Sequence, residues 1–200
     1  MPSYKLTYFN AKGRAEIIRL VFVQAGVKYE DVRVNFDDWP PLKPTMPTGT
    51  LPILEVDGGK KIPNCQAIAR YVARECNLAG SNNLEQLKVE SVMEVFLDIV
   101  NDIFPATKEN DEAKKAVFEE KIKPKLKNLE NMLAANGGNV FVGNKITLAD
   151  IGLFNYCDVF MTKLCDDPLK DFPKLKALNE KVSKEPRIAA WLAKRPQTSL

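Results

Sequence analysis

Two hundred residues allow one large domain or two small ones, and an apolar fraction of 45% can supply real cores. The formal net charge is only +3, from 29 basic and 26 acidic residues spread along the chain, and no basic run stands out, so nucleic acid is not expected as a partner. The chain contains no histidine, which excludes Ser-His and Cys-His catalysis and histidine-based metal sites, and leaves proton chemistry to Tyr, Cys, Lys or carboxylates. Residues 4–8 alternate as a short strand that ends on Tyr8. Residues 14–25 carry Ile17, Ile18, Leu20 and Val21 at helical spacing and stop at Gly26. Residues 29–34 alternate again, through Tyr29, Val32 and Val34. Prolines at 40, 41, 44 and 47 predict mostly loop over 36–50, with at most a short helix near Leu42. Two short strands, 52–56 and 60–62, flank a turn at Asp57-Gly58-Gly59, and a helix opens near Cys65 with Ile68, Ala69, Val72 and Ala73 at helical spacing.

The order β-α-β-loop-β-β-α is that of a thioredoxin-like α/β domain, expected over 1–76. Asn77-Leu78-Ala79-Gly80-Ser81-Asn82-Asn83 reads as a polar linker. The rest, 84–200, is expected to be an all-helical domain. Its candidate helices run near 84–104, 112–135, 148–164, 174–184 and 186–194, punctuated by prolines at 105, 168, 173 and 186. No segment reaches membrane-spanning length, and no signal-peptide core is visible. Cys65, Cys76, Cys157 and Cys165 have no framework spacing, so free thiols in a reducing cytoplasm are expected.

Chemistry concentrates at Asn64-Cys65-Gln66-Ala67-Ile68-Ala69-Arg70. Small polar side chains and unpaired N–H groups at a helix N-terminus make a seat for a carboxylate. Just upstream, Leu51-Pro52 leads into a strand with a proline, and X-Pro bonds are the ones that readily become cis. A cis bond there would turn the Leu51 backbone outward, toward an extended ligand. A carboxylate seat beside a backbone-pairing edge suggests a small acidic peptide. At the helix N-terminus the Cys65 thiol is expected to have a lowered pKa, which makes it a candidate for oxidation.

These stretches, with Tyr4-Lys5-Leu6-Thr7-Tyr8-Phe9, Gly13-Arg14-Ala15-Glu16, Asp38-Trp39-Pro40, Thr147-Leu148-Ala149-Asp150 and Arg195-Pro196-Gln197-Thr198, are similar in order and spacing to the cytosolic glutathione transferases. The resemblance runs the whole chain and is close to the sigma class. It implies a thioredoxin-like domain followed by a helical domain, a cytoplasmic homodimer, and a detoxification enzyme that activates the glutathione thiol for attack on hydrophobic electrophiles. It implies that Tyr8 donates its hydroxyl proton to the glutathione sulfur and that Arg14 supports the thiolate. It places Trp39 and Lys43 on the glycyl end of glutathione, and Leu51 and Pro52 along its backbone. Asn64 and Cys65 stand where the family usually has Gln and Ser on the γ-glutamyl carboxylate. The partner subunit's Asp98 is expected on the γ-glutamyl ammonium. Phe104, Tyr156 and Phe160 are candidates for the electrophile pocket. No cofactor beyond glutathione is implied. Some relatives bind a divalent cation between subunits, but Glu94 and Leu97 occupy matching positions here, and no metal is expected. Thr147 and Asp150 read as a structural helix cap. Prostaglandin H₂ isomerisation and a crystallin-like storage role are the alternatives that the same resemblance leaves open.

Overall fold

The computed structural model describes residues 2–198, which form two compact units. The first takes in the chain up to Cys76 together with the residues from Pro186 onward. The second is Asn77–Glu185.

The first unit holds β1 (Tyr4–Phe9), α1 (Glu16–Ala25), β2 (Glu30–Val34), α2 (Trp39–Leu42), β3 (Ile53–Val56), β4 (Ile62–Pro63) and α3 (Cys65–Glu75). The sheet order is β2-β1-β3-β4, with β1 and β2 parallel and the pairs β1–β3 and β3–β4 antiparallel. A parallel pair needs a crossover helix, and α1 supplies it. This is the thioredoxin-like arrangement that the element order predicts. Its core is drawn from both sheet and helices: Leu6, Ile53 and Leu54 meet Ile17, Leu20, Val21, Ile68, Ala69 and Val72, all essentially inaccessible. Gly26 ends α1 in the left-handed region, φ 69°, and its N–H closes back on Val23 O. The Leu51–Pro52 bond is cis.

Helix α9 (Pro186–Lys194) follows the helical run in sequence but packs with the first unit. Ile188 is its buried contact. Polar anchors do the rest: Arg187 Nη1 donates to Gln24 O at 2.9 Å, and Trp191 Nε1 donates to Glu16 Oε1 at 2.9 Å.

The second unit holds α4 (Asn83–Ala106), α5 (Asp111–Val117), α6 (Lys123–Ala135), α7 (Leu148–Val159) and α8 (Pro173–Ser183). Asn82 and Asn110 cap α4 and α5 through side-chain oxygens that accept from Glu85 N at 3.0 Å and Ala113 N at 2.9 Å. The run expected as one helix over 112–135 is interrupted by a π-turn, Phe118–Ile122. Lys123 N–H bonds to Phe118 O, five residues back, and Pro124 follows with no N–H to continue the ladder. Asp150 is buried and accepts from Thr147 N–H at 2.7 Å, the Thr147 hydroxyl at 2.9 Å and Phe141 N–H at 2.8 Å. Its role is therefore structural, as its sequence context suggests. Glu130, also buried, caps α8 by accepting from the N–H groups of Lys174 and Leu175 at 3.1 and 2.9 Å. Among the described residues, no helix is long and apolar enough to cross a membrane.

Candidate active site

Tyr8 is the penultimate residue of β1 and is 9% exposed. Its phenol oxygen accepts a hydrogen bond from Arg14 N–H at 3.1 Å. That donor sits on a single 3₁₀ turn, Gly13–Ala15, entered through Gly13 at φ 41°. A Cβ at Gly13 would stand 2.6 Å from the Tyr8 oxygen, so only glycine lets the turn approach so closely. Burial pushes the Tyr8 pKa up, and the Arg14 N–H together with the Arg14 and Arg19 charges opposes that rise. Tyr8 is thus a neutral phenol whose oxygen is already polarised by a donor. Such a group is suited to give its O–H to an anion.

Arg19 lies behind this tyrosine. Its guanidinium is fully buried, with its carbon 5.9 Å from the centre of the Tyr8 ring. Nη1 donates to Ala11 O at 2.7 Å and to Glu16 Oε2 at 3.2 Å, and Nε donates to Asp31 Oδ1 at 3.0 Å. Glu16, 1% exposed, also accepts from Trp191 Nε1 and from Arg195 Nη1 at 2.9 and 3.2 Å. Asp31 is shared with Arg33 at 2.9 Å. A chain of alternating charge, Arg195–Glu16–Arg19–Asp31–Arg33, therefore runs beneath the residues that carry Tyr8 and Arg14.

Phe9 connects Tyr8 to the proline-rich loop. Its ring meets Tyr8 edge-on at 5.6 Å and Trp39 edge-on at 5.4 Å, and stacks on Phe36 at 4.8 Å. Trp39 opens α2 and is half-buried, while Lys43 is exposed on the 3₁₀ turn that follows. Leu51 is half-buried and Pro52 buried at the entry to β3.

Asn64 and Cys65 form the start of α3. Asn64 has φ 84° and ψ 106°, and its side-chain oxygen accepts from Gln66 N–H at 3.1 Å and Ala67 N–H at 3.3 Å. Asparagine is short enough to turn back as an N-cap, so two of the N–H groups read as a carboxylate seat are already paired. Cys65 Sγ lies tight against Arg14 O. Its pKa does not fall as the helix N-terminus led us to expect. Burial outweighs Arg14 and Arg70 and pushes the thiol up to about 12. Cys65 is a protonated thiol, not a reactive thiolate.

The remaining predicted residues lie in the second unit. Asp98 is exposed on α4, and its carbonyl accepts from Lys125 Nζ at 3.4 Å. Phe104, Tyr156 and Phe160 come together: Phe160 is 5.9 Å from Phe104 and 5.8 Å from Tyr156, centre to centre. Tyr156 also stacks on Phe96 at 5.0 Å, and Tyr156 and Phe160 are core residues, whereas Phe104 is 43% exposed. A cleft of about 270 Å³ in this unit, lined by Phe154, Asp158, Thr162, Asp167, Lys176 and Glu180 among others, involves none of the three.

Residues 4–74 match the glutathione S-transferase N-terminal domain family, and residues 97–195 match the glutathione S-transferase C-terminal domain family. The chain is 41% identical over 204 residues to hematopoietic prostaglandin D synthase of Rattus norvegicus, with all of both chains covered. It belongs to the glutathione S-transferase family. Among solved structures of the family, it is similar to the monomeric glutathione S-transferase Na-GST-3 of Necator americanus, with a TM-score of 0.93 and 36% identity over 99% of this chain and 100% of that one. It is also similar to the sigma-class glutathione S-transferase of Fasciola hepatica, with a TM-score of 0.89 and 33% identity over 100% and 99% of the two chains. The sigma-class resemblance carried by the motifs is thereby borne out, and with it the enzyme class, a glutathione transferase.

For this glutathione S-transferase, reading the sequence missed Arg19, Glu16 and Gly13 as parts of the Tyr8 setting. The signal was present as an i, i+3 acid–base pair, Glu16 and Arg19, set among Ile17, Ile18, Leu20 and Val21. Flanked so closely by apolar residues on both sides, such a pair points to burial and not to a solvated face.

Proposed function

We propose that this transferase binds glutathione in its first unit and activates the thiol with Tyr8, so that the thiolate attacks a hydrophobic electrophile. The observation that carries the reading is the Tyr8 hydroxyl, buried, neutral and already accepting from Arg14 N–H. A free thiol has a pKa of about 8.5, so only a few per cent is ionised at neutral pH. Lowering it by ~2 units takes ~2.7 kcal/mol of preferential thiolate stabilisation. One hydrogen bond to the charged sulfur plus nearby cations is of that size. Two cations are available, Arg14 and the buried Arg19.

In this reading Trp39 and Lys43 take the glycyl carboxylate with one N–H donor and one point charge. The backbone at Leu51 and Pro52 pairs with the peptide. The γ-glutamyl end lies at Asn64 and Cys65. Phe104, backed by the core residues Tyr156 and Phe160, supplies apolar surface for the electrophile. The domain division proposed from the sequence is 1–76, a linker at 77–83, and a helical domain over 84–200, whose last helix, α9, packs with the first unit. The four free cysteines support a reducing, cytoplasmic setting. Glutathione is a co-substrate, and no further cofactor or metal enters the scheme. Retention on immobilised glutathione together with turnover of an aryl halide tests the reading. A protein that neither binds the resin nor turns over would sink it. The same preparation, offered prostaglandin H₂, tests the second reading, an isomerase, which is favoured by the 41% identity to a prostaglandin D synthase.

Two further results are expected. Gly13→Ala should lower kcat roughly tenfold to hundredfold with a smaller change in KM, because the new methyl displaces the Tyr8 hydroxyl from the sulfur. An unchanged kcat would mean that the placement of that hydroxyl does not matter. The second result concerns a homodimer in which the partner subunit's Asp98 reaches the γ-glutamyl ammonium. A hydrogen bond to a charged group contributes ~1.5–3 kcal/mol, so Asp98→Ala should raise KM for glutathione roughly tenfold to hundredfold. In a heterodimer of Asp98→Ala with Tyr8→Phe, both defects fall in one site and about half the activity survives. If Asp98 serves its own subunit, or if the protein is a monomer like its Necator relative, little activity remains.

A further inference from the structure

We infer that Trp191 and Arg195, at the end of the last helix, are positioning residues for the Tyr8 hydroxyl, acting through Glu16 and Arg19. The inference rests on the reading of Tyr8 given above. Trp191 Nε1 and Arg195 Nη1 both donate to Glu16 Oε1, at 2.9 and 3.2 Å. The other carboxylate oxygen, Oε2, accepts from Arg19 Nη1 at 3.2 Å, and the same nitrogen donates to Ala11 O at 2.7 Å. The Glu16 N–H bonds to Lys12 O at 3.1 Å.

These bonds hold both flanks of the turn that serves Tyr8. Gly13–Ala15 is a single 3₁₀ turn, entered at φ 41°, and no side chain caps its N-terminus. Its Arg14 N–H is the one that the Tyr8 oxygen accepts. Upstream, Arg19 pins the carbonyl of Ala11. Downstream, Glu16 is the first residue of α1. A carboxylate suits that end of a helix, but the helix dipole does not fix where its oxygens point. A buried ion pair keeps one geometry only when its remaining lone pairs also find donors. For Glu16 those donors are Trp191 and Arg195, 175 and 179 residues later in the chain. The Arg195 N–H bonds to Trp191 O at 2.7 Å, which sets the spacing of the two residues. Slack at this end of α9 therefore passes to Glu16 and Arg19, then to Ala11 and the amide that faces Tyr8.

The test compares three variants. Trp191→Phe removes a donor and changes no charge. Arg195→Met removes a donor and a cation, and Arg195→Lys keeps the cation. In each, the ultraviolet thiolate band of bound glutathione is titrated, KM for glutathione is measured and the unfolding midpoint is taken. Trp191→Phe is also built on a Tyr8→Phe background. A 1 Å misplacement can cost about a hundredfold, so the smaller slackening here should raise the titration midpoint by about 0.5 pH unit, or about threefold in thiolate on the acid side, with KM within about twofold. Arg195→Lys should stay closer to the parent than Arg195→Met. On the Tyr8→Phe background, Trp191→Phe should leave the titration where it is. A lower unfolding midpoint with an unmoved titration makes the two residues anchors of α9 alone and overturns the inference. So does a shift of equal size without the Tyr8 hydroxyl, or a loss carried wholly by KM. If Tyr8→Phe itself leaves the thiolate band unshifted, it is the proposed mechanism that fails, and that failure is visible before any α9 variant is compared.

Discussion

Tyr8→Phe should reduce kcat for glutathione conjugation roughly twentyfold to thirtyfold at neutral pH while leaving KM for glutathione nearly unchanged. The substitution removes one oxygen and keeps the ring. Phe9 and the Arg19 guanidinium therefore keep their partner, and the strand keeps its packing. What is lost is the O–H aimed at the sulfur. If that bond supplies most of a ~2-unit depression of the thiol pKa, its removal returns the thiolate to a few per cent at pH 7. The pH dependence has a definite sign. Burial raises the Tyr8 pKa, so the phenol stays neutral through the working range, and the acid limb of the rate profile belongs to the glutathione thiol. In Tyr8→Phe that limb should move to higher pH, and the ultraviolet thiolate band should titrate in parallel. At a pH well above the free thiol pKa the two enzymes should converge. A variant that titrates like the parent would remove Tyr8 from the mechanism.

The fold was legible because its signals are local and redundant. The alternation at 4–8, the helical run closed by Gly26 and the proline-rich stretch after β2 each specify one element, and the order of the elements specifies the thioredoxin-like sheet. Helix α9 was not legible in the same way. Its pattern gives its length, but its docking depends on Trp191 and Arg195 meeting Glu16 some 175 residues earlier, and no local period records that. The candidate site divides along the same line. Tyr8 and Cys65 could be named because strand ends and helix starts present side chains to ligands, and Trp39 only through the family resemblance. What each does could not be read, because it is set by tertiary neighbours. The thiol of Cys65 shows this. The helix N-terminus lowers a thiol pKa and is visible in sequence, while desolvation raises it and is not, and desolvation wins. Asn64 shows it too: a residue one methylene shorter than the expected Gln caps its own helix.

The buried charges beneath Tyr8 should prove the most costly single place to disturb. Glu16 and Arg19 are 1% and 0% exposed, and each holds several partners. Desolvating two such charges is repaid only while they face each other. Arg19→Met fits the space but leaves Glu16 in the core with Trp191 and Arg195 alone, and it frees the carbonyl of Ala11. Breaking one side of a buried pair costs ~3–5 kcal/mol, a large part of the stability of most domains. Asp31 adds little to that cost, because it is partly exposed and keeps Arg33. Denaturant unfolding should therefore show a large drop in midpoint for Arg19→Met. The double variant Glu16→Gln/Arg19→Met should recover part of it, since no fully buried charge then remains, Arg195 being partly exposed, and the amide still accepts from Trp191. What remains folded of Arg19→Met should also show a raised pKa for bound glutathione, because the cation behind the Tyr8 ring is gone. A loss below about 1 kcal/mol would place the pair in the class of surface ion pairs and would contradict its burial.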